Sequence, residues 1–220
     1  MVNLTGGIVT RLPDANIPAT LRFHHASINL GPADIYVDDP LTAPIVSAHA
    51  FRDVTPDLDM PAGALPITYT TAGNMGSILV DTDFGLNRGL RHHVIFIEDS
   101  NGVGELVRYI PDLRSVETFA KVEIANTTQS NALVDVYILQ AGETIEEDTL
   151  PFLNGLVIGL SPITIPMPEG DFDIYVTPDE DKVPLAGPIP ITTTPGDVWQ
   201  VLIYENVDPL VVDVTVNPLP

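Results

Sequence analysis

The residues best equipped for chemistry are carboxylates. Asp57 and Asp59, Asp81 and Asp83, and Asp171 and Asp173 stand two apart in segments with extended patterning. In extended backbone, residues i and i+2 share a face, so each pair aims two carboxylates the same way. Glu146-Glu147-Asp148 and Asp179-Glu180-Asp181 read as acidic loop tips. A calcium ion takes six to eight oxygens from such groups. The candidate ligands are therefore Asp57, Asp59, Asp81, Asp83, Asp179 and Asp181, with Ca2+ as the cofactor to expect if any is bound. None of these segments follows the regular twelve-residue calcium loop, and solvated acidic surface is the competing reading. The histidines offer a second chemistry. His24-His25 and His92-His93 are doublets. Neighbours in a strand face opposite ways, so each doublet can give one imidazole to a shared metal. Histidines packed at sandwich corners are the plainer reading.

Catalysis finds little support. The chain has no Cys, which excludes disulfides and thiol chemistry. No nucleophile elbow, zinc-protease helix or phosphate loop occurs. The aspartate pairs lie along single strands rather than across a cleft, unlike the facing carboxylates of glycosidases. The expectation is that the protein is not an enzyme. With 9 basic against 30 acidic residues the net charge is −21, which repels nucleic acid. No run of 18 apolar residues is present, so no membrane-spanning helix is expected.

The elements that would position these groups come in two copies. At a shift of 101 positions, Asp34-Ile35-Tyr36-Val37 falls on Asp135-Val136-Tyr137-Ile138, and His25-Ala26-Ser27 on Asn126-Thr127-Thr128. At a shift of 107, Met60-Pro61-Ala62-Gly63 falls on Met167-Pro168-Glu169-Gly170, and Val94–Glu98 on Val201–Glu205. Six extra residues therefore lie between these anchors in the second copy. Short β-branched and aromatic runs are punctuated by 21 Pro and 16 Gly spread along the chain. That pattern predicts about seven strands per copy and no substantial helix. The fold class expected is all-β: two tandem Ig-like or transthyretin-like β-sandwich domains, spanning residues 1–115 and 116–220. The segment Ile158–Ile165 reads as one strand, and residues 39–60 as a long connection.

The quoted residues also resemble a family. His25-Ala26-Ser27 with Asp34-Ile35-Tyr36-Val37, then Met60-Pro61-Ala62-Gly63, is similar to the "HASPDAP-x-VDVYV … VPAG" pattern. That pattern marks a secreted bacterial and archaeal β-sandwich domain of unknown function, often found in tandem. The Pro-Asp expected after Ser27 is replaced by Ile28-Asn29, and in the second copy by Gln129-Ser130. The resemblance implies an extracellular or cell-surface location and brings no active site. Residues 1–19 lack the basic start and continuous apolar core of a signal peptide.

These observations lead to a non-catalytic extracellular structural or adhesion module. Residues 2–12, unmatched in the repeat and rich in β-formers such as Ile8, Val9 and Thr10, suggest a donated strand. The expected partner is then another copy of the chain, in a self-assembling surface fibre, or another surface protein. The alternative is a cell-surface module that binds carbohydrate or peptide and is stabilised by calcium.

Overall fold

The structure, a computed structural model, describes residues 17–38, 43–99, 101–208 and 210–219. The donor segment proposed at residues 2–12 lies outside them. The described residues form sixteen strands and no helix. The first copy contributes β1 (Ala19–His25), β2 (Ala33–Val37), β3 (Val46–His49), β4 (Leu58–Met60), β5 (Gly63–Thr71), β6 (Asn74–Leu86), β7 (Arg91–Glu98) and β8 (Gly104–Tyr109). The second contributes β9 (Ala120–Asn126), β10 (Leu133–Gln140), β11 (Leu153–Val157), β12 (Ile163–Met167), β13 (Gly170–Pro178), β14 (Ala186–Thr193), β15 (Val198–Glu205) and β16 (Val212–Pro218).

Each copy builds two four-stranded sheets with one shared topology. The outer sheets run β3-β2-β5-β6 and β11-β10-β13-β14; the inner sheets run β4-β1-β7-β8 and β12-β9-β15-β16. In each inner sheet the first strand pairs in parallel with the seventh, β1 with β7 and β9 with β15. Leu21, Phe23, Val94 and Phe96 of the first inner sheet pack on Ile35, Ile67 and Tyr69 of its outer sheet. Val122, Ile124, Val201 and Ile203 do the same with Val134, Val136, Ile174 and Val176 in the second copy. A third core lies between the copies. Ile95, Ile97, Val107 and Tyr109 meet Ala125, Leu202 and Tyr204 across the two inner sheets. The molecule is a stack of four sheets: outer, inner, inner, outer.

Two sequence expectations change here. The segment read as one strand over Ile158–Ile165 is a crossing between sheets: β11 ends at Val157 in the outer sheet and β12 begins at Ile163 in the inner one. Gly159, at φ 75°, turns the chain between them. The connection read over residues 39–60 makes the same crossing through β3 and β4, so each copy has eight strands rather than about seven. These strands are three to five residues long, too short to show a period.

The Asp of the repeated Asp-x-Tyr motif holds that crossing. Asp34 accepts the Ala48 N–H and the Gly73 N–H, both at 2.8 Å. Asp135 accepts the Gly155 N–H at 2.8 Å and the Glu180 N–H at 3.2 Å. Ala48 and Gly155 are the left-handed residues (φ 50° and 62°) of the bulges facing Asp34 and Asp135. One carboxylate thus satisfies a bulge amide and a hairpin amide that have no ladder partner. These pairs also locate the insertion: the shift is already 107 at Ala48 and Gly155, so the six residues belong to the loop between β10 and β11. Replacing Asp135 with Ala removes the partner of two part-buried amides, with an expected loss of about 1–3 kcal/mol in urea unfolding. A loss under about 0.5 kcal/mol would show that the carboxylate is not what holds the bulge.

Candidate functional site

The histidine doublets divide as alternation requires. His24 and His93 face the second copy; His25 and His92 face the first core. All five histidines are at most 3 % exposed. His24 Nε2 lies 3.3 Å from His93 Nδ1, which is 3.0 Å from the Tyr109 hydroxyl and 3.2 Å from Gln200 Nε2. Gln200 also contacts the Tyr109 hydroxyl. His93 and Gln200 are equivalent in the repeat, so a pseudo-twofold axis passes between them, as at an isologous interface. This polar knot joins the copies beside the apolar contact of Ile95, Ile97, Ala125 and Leu202. Among the described residues, no three His, Asp or Glu side chains converge as metal ligands.

His25 bonds the Gly31 carbonyl at 2.8 Å, and its ring lies 5.7 Å from that of His49. Asn126, its counterpart, bonds the carbonyls of Asn131 and Leu156. Both close the turn after the first strand. His92 accepts the Asn87 N–H at 2.9 Å.

Around this interface, charged groups serve as ties. Asp57 accepts Arg22 Nε at 2.8 Å and Arg91 Nη2 at 2.7 Å. Arg52 pairs with Asp213 across the copies and lies near the Tyr204 ring, against which Phe51 packs edge-on at 5.9 Å. Lys121 Nζ bonds the Arg114 carbonyl at 2.6 Å and Asp112 Oδ2 at 2.8 Å, which fixes the linker. Arg114 and Lys121 hold the Asp112 carboxyl well below the usual carboxylate range. Burial, with Glu123 nearby, pushes the Tyr109 phenol up.

The candidate metal ligands are scattered. Asp57 is neutralised by its two arginines. Asp59 sits on β4 opposite Thr20, beside a 420 Å³ cleft shared with Arg88. Asp81 accepts the Thr68 hydroxyl at 2.8 Å, and Asp83 is exposed opposite Pro66. Both mark β6, the edge of its sheet, where charge deters pairing with another chain. Asp179 lies beside Gly155, where an added Cβ would sit 3.5 Å from its carboxylate. Asp181 accepts the Lys182 and Val183 N–H groups within its own turn.

The inserted loop, residues 141–152, is the clearest departure from the repeat. Lys182 Nζ donates to the carbonyls of Glu146 (2.9 Å), Glu147 (2.5 Å) and Thr149 (2.7 Å). The loop thus folds around an ammonium group. Tyr175 donates its hydroxyl to the Glu143 carbonyl, and Gly142 N–H bonds Asp173. Grooves of 310 and 410 Å³ flank it. Leu150 is 84 % exposed and Phe152 50 %. Phe152 is the one exposed aromatic ring among the described residues; Trp199 packs against the second core. Sequence reading noted the acidic tip but not Lys182, which approaches from 33 or more positions away.

No family model matches the chain, and no curated protein matches it. Among solved structures, a carbohydrate-binding module of family CBM26 from Eubacterium rectale, in complex with maltoheptaose, is 11 % identical with a TM-score of 0.29. It covers 91 % of this chain and 97 % of its own. The Bacillus anthracis TIE protein is 12 % identical with a TM-score of 0.27, over 86 % of this chain and 34 % of its own. A structure described as alpha-glucan binding by a streptococcal virulence factor is 10 % identical with a TM-score of 0.26, covering 84 % and 92 %. The function is argued below from this chain's own geometry.

The buried histidines set a pH dependence. Burial, with Arg22 and His49 nearby, lowers His24 from 6.5 to about 3. Burial, with the His25 charge, lowers His49 to about 4 against the opposing pull of Asp53. Burial also lowers His25 against Gly31 and Asp53, His92 beside Arg108, and His93 beside His24, Arg22, Arg91 and His92. The folded state binds the proton more weakly than the unfolded chain, so stability is full above pH 6.5 and falls as pH drops below it. His24 alone should remove about 2 kcal/mol between pH 7 and pH 5, before most carboxylates titrate. Urea midpoints across that range test this, and a midpoint constant from pH 7 to 5 would contradict neutral burial.

Proposed function

We propose that the chain is a non-catalytic extracellular module that binds a carbohydrate or peptide ligand at the inserted loop of its second copy. The observation that carries this is the position of Phe152. Every other described aromatic ring is buried or half-buried, yet this one stands exposed beside Leu150 at the point where the repeat is broken. Aromatic rings supply large contact area at low entropy cost and favour the face of a sugar ring or an apolar side chain. The Lys182 clamp pre-orders the loop, which reduces the ordering cost of binding. Glu147 and Asp148 beside the groove supply acceptors for hydroxyl or amine donors. Asp57, Asp81, Asp181 and the buried histidines are engaged in structural ties. Extracellular placement rests on the family resemblance. Glycan and peptide arrays should show specific, saturable binding that falls at least tenfold in Phe152→Ala at an unchanged unfolding midpoint. Binding retained in that variant, or absent from both arrays, would refute the reading.

A second reading, a self-assembling fibre subunit, is favoured by the edges. β14 carries Pro188 and Pro190, β12 carries Pro166, β3 and β11 are bulged, and β4 has three residues. β8 and the first six residues of β16 contain no proline and no register shift. They are the natural receptors for a strand from another copy. On this reading, deleting residues 1–12 abolishes filaments seen by electron microscopy. Filaments that persist, or a full chain that stays monomeric at high concentration, would exclude strand donation.

A further inference from the structure

The linker between the copies closes on a polar cluster at the start of β9. Val122 and Ile124 face the second core, so Lys121 and Glu123 share the opposite face of the strand. Both are buried. Lys121 Nζ lies 2.8 Å from Asp112 Oδ2 and donates to the carbonyls of Asp112 at 3.3 Å and Arg114 at 2.6 Å. These bonds hold the amine against the Asp112 carboxyl. Arg114 grips the same carboxyl through Nε at 2.7 Å and Nη2 at 2.9 Å. Glu123 Oε1 accepts the Asp112 N–H at 2.9 Å, while Glu123 Oε2 is buried with no hydrogen-bond partner among the described residues. Burial and the Asp112 charge push the Glu123 carboxyl up, against the pull of the Asp112 N–H and of Lys121. In the first copy Thr20 and Arg22 stand where Lys121 and Glu123 stand here, so that copy has no equivalent cluster. A salt bridge leaves the set unexplained. Arg114 already neutralises Asp112, yet a buried ammonium is brought to the same carboxyl, and a buried glutamate oxygen is left without a donor. An amine, a carboxyl and a proton-bearing acid held together are the parts of an amide condensation.

We propose that Lys121 Nζ and Asp112 Cγ join in an isopeptide bond that closes residues 112–121 into a ring. Asp112 is ionised at rest, so the step begins with a proton passing from the Lys121 ammonium to the Asp112 carboxylate across their 2.8 Å contact. The freed amine lone pair attacks Cγ, and the Arg114 guanidinium steadies the negative oxygen that forms there. Glu123 relays a second amine proton to the departing oxygen. The Nζ–Cγ bond forms, the Cγ–Oδ2 bond breaks, and one water leaves. An ammonium and a carboxylate become a neutral amide, so the net charge of −21 is unchanged and no oxidant or cofactor takes part. The Asp112 side chain is 34 % exposed, which gives the water an exit, while Lys121 stays buried. The bond pins the linker to β9 and does not depend on what the inserted loop binds.

Intact-mass spectrometry of the full chain, folded at neutral pH and then denatured, tests the bond. The wild type should be lighter than its sequence by one water, and proteolysis should release a branched peptide joined at Asp112 and Lys121. Asp112→Ala and Lys121→Arg should each show the full sequence mass. Glu123→Gln keeps an acceptor for the Asp112 N–H but cannot relay a proton, so its bonded fraction should fall by at least about tenfold. A wild-type chain that keeps its full mass after prolonged incubation in the folded state would overturn the proposal. So would a lost water that peptide mapping places elsewhere, as in an aspartyl succinimide. An undiminished bonded fraction in Glu123→Gln would overturn the proton route through Glu123. The wild-type mass and peptide map decide the matter even if a variant fails to fold.

Discussion

The fold depends on two inner sheets that are buried on both faces. In β7, Val94 and Phe96 point to the first core while Ile95 and Ile97 point to the second copy. In β15, Val201 and Ile203 point to their own core while Leu202 and Tyr204 point to the first copy. Neither sandwich alone could leave its outward face in water, since each large side chain there gains about 1.5–3 kcal/mol from burial. The copies therefore cover each other. Their parallel pairing agrees with this, because parallel strands are found where both faces are buried.

This constraint explains where the polar groups went. A flat contact between two β-sheets could slip by one residue pair without losing much apolar area. The His24–His93–Tyr109–Gln200 knot gives that contact one register, as buried polar groups do elsewhere when they fix specificity at some cost in stability. Arg52 and Asp213 tie one margin, Lys121 and Asp112 anchor the linker at another. Chemistry-bearing residues thus gather at the interface for structural reasons. The outer surface of the second copy departs from that of the first at the loop of residues 141–152.

Much of this was legible in the sequence. The repeat register predicted two similar β units and placed the six-residue insertion. The continuous apolar runs Val94–Ile97 and Val201–Tyr204 read as central strands, and they also held the signal for the four-sheet stack: a run with no polar alternate has no face for water. That inference needed the two runs to be considered together. Short crossing strands leave no periodic trace, so β3, β4 and β11 have no counterpart in the sequence reading, and the strand expected over Ile158–Ile165 overlaps only the start of β12. For the aspartate pairs, spacing along a strand shows which side chains share a face but not what stands opposite. Likewise, Lys182 gives no sign in sequence that it holds the loop around Glu146–Thr149.

The central claim is that the two copies form one cooperative body through the inner-sheet contact. Differential scanning calorimetry of the wild-type chain and Leu202→Asp tests it most directly. An aspartate at this fully buried position faces only the other copy and leaves the second core intact. The account predicts a single transition for the wild type, with calorimetric and van't Hoff enthalpies in agreement. It predicts at least one transition displaced downward by roughly 5 °C or more in the variant, with the two copies melting separately. Two independent transitions in the wild type, or a variant that melts like the wild type, would contradict it.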